Sequence, residues 1–227
     1  MKVLIFGATG MVGQGVLREC LHADDVSDVL AVGRSSTGLS NPKLHELVHQ
    51  DFRDYTAIED KLQGFDACFF CLGVSSVGMT EADYTRLTYD ITLAAATALA
   101  RLNPAMTFVY VTGAGTDSSE RGRSMWARVK GRTENALRRL PFKAVYLFRP
   151  GIIQPLHGVR SKTGWIQTIY TLGSPVISLS RRLFPHSVLT TERIGQAMLA
   201  VARDGAANPI LESRDIEDVA RTGSRHG

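Results

Sequence analysis

Residues 2–13 read Lys2-Val3-Leu4-Ile5-Phe6-Gly7-Ala8-Thr9-Gly10-Met11-Val12-Gly13, and this stretch points to the class of fold. The apolar run that ends at Phe6 predicts a buried strand, and the apolar stripe that follows predicts a helix over 11–21. Three glycines, each three residues from the next, lie at the junction between them. A strand, a glycine-rich turn and a helix in this order are typical of the first unit of an α/β sheet.

The same alternation of apolar runs and helical patterns continues over the first 150 residues. Further strands are predicted at 29–32, 44–48, 67–72, 107–111 and 145–148, and further helices at 55–62, 81–102 and 125–140. Because these strands are apolar throughout, each is expected to be buried on both faces, which requires a parallel sheet covered by helices. The sequence therefore predicts a Rossmann-like, doubly wound α/β fold with helices on both faces of a parallel sheet.

Composition and charge exclude several classes of protein. Hydrophobic residues make up 44% of the 227 residues and charged residues 21%, as in a folded chain and unlike a disordered one. The net charge of +4 is too small and too scattered to indicate nucleic-acid binding. The sequence has no apolar run long enough for a membrane span, and its three cysteines indicate a reducing compartment. We therefore expect a cytoplasmic protein.

The glycine turn has the chemistry of a site for the pyrophosphate of a dinucleotide. Gly7 permits the sharp turn, Gly10 lets backbone N–H groups approach the phosphates, and Gly13 lets the helix pack closely on the strand. The start of the helix also favours negative charge. We expect Thr9, Met11 and Val12 to belong to the same phosphate-binding loop.

The end of the second strand favours one nucleotide over the other. NAD-binding proteins usually carry an acidic residue there, about 20 residues after the glycines, to hold the ribose 2′-hydroxyl. This sequence has Arg34 followed by Ser35, and a guanidinium pairs well with a 2′-phosphate. We therefore predict NADP(H) in preference to NAD(H), with Asp51 and Phe52 after the third strand meeting the adenine.

The Cys68-x-x-Cys71 spacing resembles that of zinc and redox sites. A closed zinc site needs a second pair of ligands, and residues three apart on a strand point to opposite faces. The sequence therefore predicts two buried apolar side chains and no metal site.

Four motifs together resemble the atypical short-chain dehydrogenases/reductases, in the Tat-interacting-protein-like and epimerase/dehydratase-like branch. They are the glycine turn, Cys71-Leu72-Gly73, Val129-Lys130-Gly131 and Phe148-Arg149-Pro150-Gly151. The resemblance implies a Rossmann-like sheet that binds NADP(H), with Cys71, Leu72 and Gly73 along the cofactor. Pro150 and Gly151, which end the sixth strand, are expected on the nicotinamide side.

The catalytic residues that the resemblance implies are only partly present. The family uses a Tyr-x-x-x-Lys pair and a serine at the end of the fifth strand. Lys130 matches the lysine, but Trp126 and Gly113 occupy the tyrosine and serine positions, and an indole has no proton to exchange near neutral pH. We expect Lys130 and Thr112 to be the catalytic residues. Alternative proton donors are Ser118, Ser119, Asp117, Ser124 and Tyr89.

Two functions follow from these observations. The first is an oxidoreductase, or an epimerase-like enzyme, that uses NADP(H) on a small carbonyl-type substrate. The second is a non-catalytic NADP(H)-binding regulator that reports redox state to a partner, which the Trp126 and Gly113 positions favour. Neither the substrate nor the choice between monomer and homodimer follows from the sequence.

The stretch 152–190 breaks the alternation and is punctuated by glycine and proline. We expect residues 1–227 to form a single domain in which 152–190 is a small C-terminal cap or lid on the substrate side, with His157 near the substrate. A dimer contact, a peripheral membrane contact and a core helix at 165–172 are the alternatives. A helix at 191–203, a strand at 210–211, a helical turn at 216–220 and a frayed tail at 222–227 complete the prediction.

Overall fold

The computed structural model describes residues 1–156 and 188–223. Its strands are β1 (Lys2–Phe6), β2 (Asp28–Gly33), β3 (Leu44–Val48), β4 (Ala67–Phe70), β5 (Thr107–Val111), β6 (Ala144–Arg149), β7 (Ile152–Gln154), β8 (Val188–Thr190) and β9 (Ile210–Glu212). Seven of them form a parallel sheet in the order β3-β2-β1-β4-β5-β6-β9, and β7 pairs with β8 in a separate two-stranded sheet.

Helices connect these strands. They are α1 (Met11–His22), α2 (Glu81–Thr85), α3 (Ile91–Leu102), α4 (Met125–Leu137), α5 (Thr191–Asp204) and α6 (Ser213–Gly223). A 3-10 helix covers Thr56–Leu62, and a π-helical turn over Arg86–Asp90 joins α2 to α3. None of the helices in the described ranges is long and apolar enough to cross a membrane.

The central sheet has one apolar cluster on each face. On one face, Val3, Ile5 and Phe69 pack against α1, α5 and α6. On the other face, Leu4 and Phe70 pack against the 3-10 helix, α3 and α4. Neighbouring residues of β1 enter opposite clusters and both are fully buried, and β4 and β5 are buried in the same way, as predicted.

For β3 the prediction of burial on both faces is wrong, because it is an edge strand with exposed His45, Glu46 and Val48. The Rossmann-like α/β fold is confirmed.

Several boundaries differ from the sequence-based expectations. The strand predicted at 67–72 ends at Phe70, so the Leu72-Gly73 motif lies in the loop after it. The helix predicted at 55–62 is a 3-10 helix, and the turn predicted at 216–220 is the helix α6. The pair β7–β8 was not predicted, because both strands lie in the stretch where the alternation of strands and helices breaks.

The predicted cap at 152–190 lies mostly outside the described residues. Its described parts are the stretch up to Leu156, which includes β7, and the strand β8. The helix candidate at 165–172 and His157 also lie outside the described ranges, so these assignments stay predictions.

Candidate functional site

The glycine turn lies at the carboxyl end of β1, and close contacts explain two of its glycines. Gly7 has a φ of +80°, which favours glycine, and a Cβ there would lie 2.9 Å from the backbone of Leu72. A Cβ on Gly13 would lie 2.1 Å from the Gly7 carbonyl oxygen. The turn therefore packs tightly against α1 and against the loop after β4.

Gly10 is less tightly packed than Gly7 and Gly13. A Cβ added to Gly10 would lie 3.3 Å from its nearest neighbour, the Gly7 carbonyl oxygen. Gly10 is the N-cap of α1, with φ −82° and ψ 166° and no side-chain cap, and the first turn of α1 contains no acidic residue. The α1 N-terminus therefore presents N–H groups and positive dipole charge, as a diphosphate requires. A side chain here would require the Gly7 carbonyl to shift by only a few tenths of an ångström, and a glycine would let a phosphate approach closely.

The Gly7 contact brings the turn together with the Cys71-Leu72-Gly73 motif. The Cys71 N–H donates to the Phe6 carbonyl at 2.9 Å, which continues the β1–β4 pairing into the loop. Gly73 is exposed, and no atom lies within 4 Å of a Cβ built on it. The loop thus leaves open space at the carboxyl edge of the sheet, where ligands bind in doubly wound folds.

The two cysteines of the Cys-x-x-Cys spacing lie on opposite sides of the sheet. Cys68 belongs to the cluster under α3, and Cys71 packs against the cluster under α1. Burial raises the pKa of the Cys71 thiol to about 12, which makes the reactive thiolate rare at neutral pH. No group of metal-ligating side chains occurs within the described residues.

Arg34 and Ser35 lie directly after β2, and both are exposed. The Arg34 carbonyl accepts a hydrogen bond from Gln50 Nε2 at 3.0 Å, which ties this loop to the residues after β3. The Arg34 guanidinium has no ion-pair partner among residues 1–156 and 188–223. It is therefore available to an anionic ligand beside the glycine turn.

Asp51 and Phe52 lie after β3 in different surroundings. Asp51 is exposed and accepts a hydrogen bond from the Arg53 N–H at 2.9 Å. Phe52 is only 7% exposed and packs edge-on against Phe6, with ring centroids 6.3 Å apart. Most of the Phe52 ring is thus in the core, which leaves little of it for an adenine to stack on.

A polar network lies at the carboxyl end of β5, next to α4. Lys130 Nζ donates to the Thr112 carbonyl at 2.8 Å and lies 5.9 Å from the centre of the Tyr110 ring. The Thr112 hydroxyl contacts Glu134 Oε1 at 2.7 Å and the Phe148 carbonyl at 3.1 Å. Since a hydroxyl has one proton and both neighbours are acceptors, this proton is already engaged.

The surroundings of Lys130 change its acidity. Burial lowers the pKa of its ammonium to about 8, and the nearby Glu134 carboxylate opposes that shift. An amine with such a pKa gives up a proton far more readily than an exposed lysine.

Sequence analysis missed the residue at the centre of this network, Glu134. It is 1% exposed and binds Arg149 twice, through Nε at 3.0 Å and through Nη2. Arg149 Nη2 also donates to Ser118 Oγ at 2.6 Å. The network therefore connects α4, the end of β6 and the loop after β5. The sequence could have indicated Glu134 through its spacing, because it follows Lys130 by four residues and therefore lies on the same face of the helix.

The positions of the missing tyrosine and serine lie near each other. Trp126 precedes Lys130 by one turn of α4 and lies 3.7 Å from a Cβ built on Gly115. A Cβ built on Gly113 would find its nearest neighbour, the Pro150 oxygen, only at 4.0 Å. Gly113 therefore has room for a side chain, so its identity is not imposed by packing.

Other candidate proton donors have structural partners. Asp117 accepts hydrogen bonds from Ser119 N at 3.0 Å and Gly122 N at 2.6 Å, and these bonds, with the one from the Ser119 hydroxyl, lower the pKa of its carboxyl. The Tyr89 ring stacks under the Arg132 guanidinium at 4.5 Å. Asp117 thus shapes the loop before α4 and is held in the form that cannot donate a proton.

Pro150 and Gly151 lie where β6 ends. The Pro150 carbonyl accepts from Ala114 N at 2.9 Å, and Gly151 N donates to Ser213 Oγ at 2.8 Å. These bonds bring the loop after β6 against the loop after β5, so all predicted site residues of β1, β2, β4, β5 and β6 lie along the carboxyl edge of one sheet.

Curated relatives share most of this chain. FMP52-2 of Scheffersomyces stipitis is 28% identical over 213 residues, which cover 92% of this chain and 89% of that protein. HTATIP2 of Rattus norvegicus is 28% identical over 155 residues, which cover 67% of this chain and 62% of that protein.

Solved structures share the fold at low sequence identity. A short-chain dehydrogenase/reductase family oxidoreductase from Burkholderia thailandensis superposes with a TM-score of 0.68 and 16% identity, covering 95% of this chain and 92% of its own. A second structure is the dTDP-glucose 4,6-dehydratase DesIV from Streptomyces venezuelae, solved with NAD and TYD bound. It superposes with a TM-score of 0.71 and 16% identity, covering 98% of this chain and 80% of its own.

The expected cytoplasmic location is wrong by this comparison, because the FMP52 relatives are named as mitochondrial proteins. Cysteine content indicates a reducing compartment but does not distinguish one such compartment from another.

The predicted resemblance is confirmed, because HTATIP2 and the FMP52 proteins are similar in sequence and a short-chain dehydrogenase/reductase family protein and a dehydratase share the fold. Residues 7–150, from the first glycine of the turn to the proline that follows β6, match the model of the NAD(P)H-binding family. The chain therefore belongs to the NAD(P)H-binding family, and its fold is Rossmann-like.

Proposed function

We propose that this protein is an NADP(H)-dependent oxidoreductase that reduces a small carbonyl compound, with Lys130 as the group that supplies the proton. The observation that carries the proposal is the position of Lys130. Its ammonium lies at the carboxyl end of β5, on the same edge of the sheet as the glycine turn. That edge is where a nicotinamide and its substrate bind in doubly wound folds.

The residues present fit a dinucleotide. The glycine turn and the α1 N-terminus receive the diphosphate, the open space at Gly73 accommodates the middle of the molecule, and Lys130 reaches the nicotinamide ribose. A reduced nicotinamide held by these residues would supply the hydride for the carbonyl carbon of the substrate.

Lys130 completes the reaction by transferring one proton from Nζ to the carbonyl oxygen, which gives the alcohol, and it regains a proton from water. Trp126 has no proton to give, and the Thr112 hydroxyl already contacts Glu134. Thr112 has a positioning role in this scheme, because its carbonyl holds the Lys130 ammonium. Glu134 opposes the loss of that ammonium's charge.

The preference for NADP(H) rests on Arg34. Its guanidinium is exposed beside the glycine turn, and the position carries no acid to bind a ribose 2′-hydroxyl. We expect Arg34→Ala to weaken NADPH binding at least about tenfold, ~1.4 kcal/mol, and NADH binding much less. Equal losses for the two nucleotides would contradict the 2′-phosphate role.

Turnover is tested by following NADPH oxidation with a panel of aldehydes, ketones and quinones. Lys130→Arg keeps the positive charge but has no proton to release near neutral pH, so we expect it to bind NADPH and to lose turnover. The exposed Lys143 provides a matched control, and Lys143→Arg should behave like the parent. Full turnover in Lys130→Arg would overturn the role of Lys130.

A non-catalytic NADP(H)-binding regulator is the second candidate, which Trp126 and Gly113 favour because they replace the usual tyrosine and serine. Tight NADPH binding without turnover on any compound of the panel would support this second function and contradict the first.

A further inference from the structure

A narrow crevice separates the glycine turn from the loop after β2. Its walls include Thr9 from the turn, Ser35 and Thr37 from the loop, and Glu46 from β3. Glu46 pairs in register with Ala31 of β2, so its side chain lies on the face of the sheet that α1 covers. The crevice thus holds a carboxylate beside the position of Arg34, although the sequence carries no acid at the end of β2.

The Glu46 carboxylate is bound by the loop itself. Ser36 Oγ donates to Oε2 at 2.5 Å, and the Thr37 N–H donates to Oε1 at 2.5 Å. The Gly38 N–H in turn donates to Ser36 Oγ at 3.0 Å. The hydrogen bonds from Ser36 and Thr37 lower the pKa of Glu46, so this carboxyl is negatively charged at neutral pH.

A hydroxyl and a backbone N–H in a tight loop are also the donors that proteins use for phosphate oxygens. In this loop both of these donors face Glu46. Neither Glu46 nor Arg34 forms an ion pair within the described ranges. Glu46 therefore lines the crevice, and Arg34 lies in the chain between two other lining residues, Gly33 and Ser35, without an ion pair to Glu46.

From this arrangement we propose that Glu46 is a specificity-determining residue of the nucleotide site, which limits the preference for a 2′-phosphate that Arg34 provides. The inference rests on the proposed nucleotide site but not on the catalytic role of Lys130. Glu46 acts in two ways: its charge repels the phosphate, and it competes for the loop donors. A ribose 2′-hydroxyl is not repelled and can donate to the carboxylate, as to the acidic residue of NAD-binding proteins.

The test compares the dissociation constants of NADPH and NADH by calorimetric titration of the full chain. Glu46→Gln removes the charge and keeps an acceptor for the Thr37 N–H, whereas Glu46→Ala removes both. The control Asp60→Asn makes the same change in net charge at an exposed residue of the 3-10 helix, away from the crevice.

We expect Glu46→Gln to tighten NADPH binding about tenfold, because the variant lacks a negative charge that lies several ångströms from the expected position of the 2′-phosphate. NADH binding should change less than about twofold. Asp60→Asn should leave the ratio of the two constants unchanged. Thermal melting of each variant shows whether the fold is retained.

Three outcomes would overturn the inference. An unchanged ratio in Glu46→Gln would show that its charge is irrelevant, and weaker NADPH binding in both Glu46 variants would show that Glu46 only anchors the loop. A parent chain that binds neither nucleotide would refute the proposed site together with the inference. A parent that prefers NADH would refute only the NADP(H) preference, because the shift in Glu46→Gln is still measured.

Discussion

The glycine turn offers the sharpest prediction, because the structure gives the distances behind the different roles expected for Gly10 and Gly13. A Cβ on Gly13 would lie 2.1 Å from the Gly7 oxygen, more than 1 Å inside an ordinary contact of about 3.5 Å. The nearest atom is backbone, so α1 or the turn has to move. Overpacking of this kind costs about 3 kcal/mol. For a chain of this length, that corresponds to a fall of about 6–12 °C in Tm for Gly13→Ala.

Gly10→Ala is the matched variant. The backbone angles of Gly10 suit alanine, and its nearest neighbour at 3.3 Å needs to shift only slightly. The poorer N-cap and the lower entropy of the unfolded chain act in opposite directions, so stability should change by less than about 1 kcal/mol. Nucleotide binding should nevertheless weaken at least about tenfold, since the new methyl group stands between the N–H groups and the phosphates.

Thermal unfolding followed by circular dichroism and titration with NADPH measure the two effects on the same samples. The expected result is a crossed pattern, in which Gly13→Ala loses mainly stability and Gly10→Ala loses mainly affinity. If Gly13→Ala melts with the parent, the close contact is not there. If Gly10→Ala binds NADPH as tightly as the parent, the diphosphate does not lie on this turn.

The other predictions concern the network around β5. Because burial lowers the pKa of Lys130 to about 8, turnover should fall as the pH rises through about 8, and a rate that stays level to pH 10 would exclude Lys130 as the proton donor. In the unfolded chain this lysine keeps its proton up to its ordinary pKa of 10.5. Between pH 8 and pH 10.5 the unfolded state therefore binds more protons than the folded state, so the free energy of unfolding of the parent should rise with pH relative to that of Lys130→Met. Urea titrations at several pH values measure this difference. Combining Trp126→Tyr with Gly113→Ser restores the usual tyrosine and serine, and Gly113 has space for the added side chain. We expect turnover in the NADPH assay to rise at least about tenfold, which is ~1.4 kcal/mol of activation free energy. No gain would mean that these positions do not reach the substrate. Glu134→Gln removes the buried carboxylate from Arg149 and leaves it only the exposed carboxylate of Glu212, at 3.4 Å. It should cost about 3 kcal/mol in urea unfolding, and a loss below about 1 kcal/mol would contradict the importance of this pair.

Local patterns in the sequence were sufficient for the architecture. The apolar strands β1 and β5 have the bounds expected from periodicity, because a strand buried on both faces leaves a signal within a few residues. The glycine spacing located the turn between β1 and α1 for the same reason. Lys130 was singled out by the resemblance to the short-chain dehydrogenases/reductases, whose tyrosine and lysine lie one turn apart on a helix.

Contacts between distant parts of the chain required the three-dimensional structure. Glu134 meets Arg149 only because α4 packs beside β6, and Phe52 is buried only because the loop after β3 folds onto Phe6. Glu46 was not singled out because a polar residue on an edge strand is ordinary, and its hydrogen bonds to the loop after β2 depend on how that loop closes. Periodicity reports which face of an element is apolar, whereas the partner of a polar side chain is set by packing between elements. That difference is why the fold, the glycine turn and Arg34 were accessible from the sequence, and why the roles of Glu134 and Glu46 were accessible only from the structure.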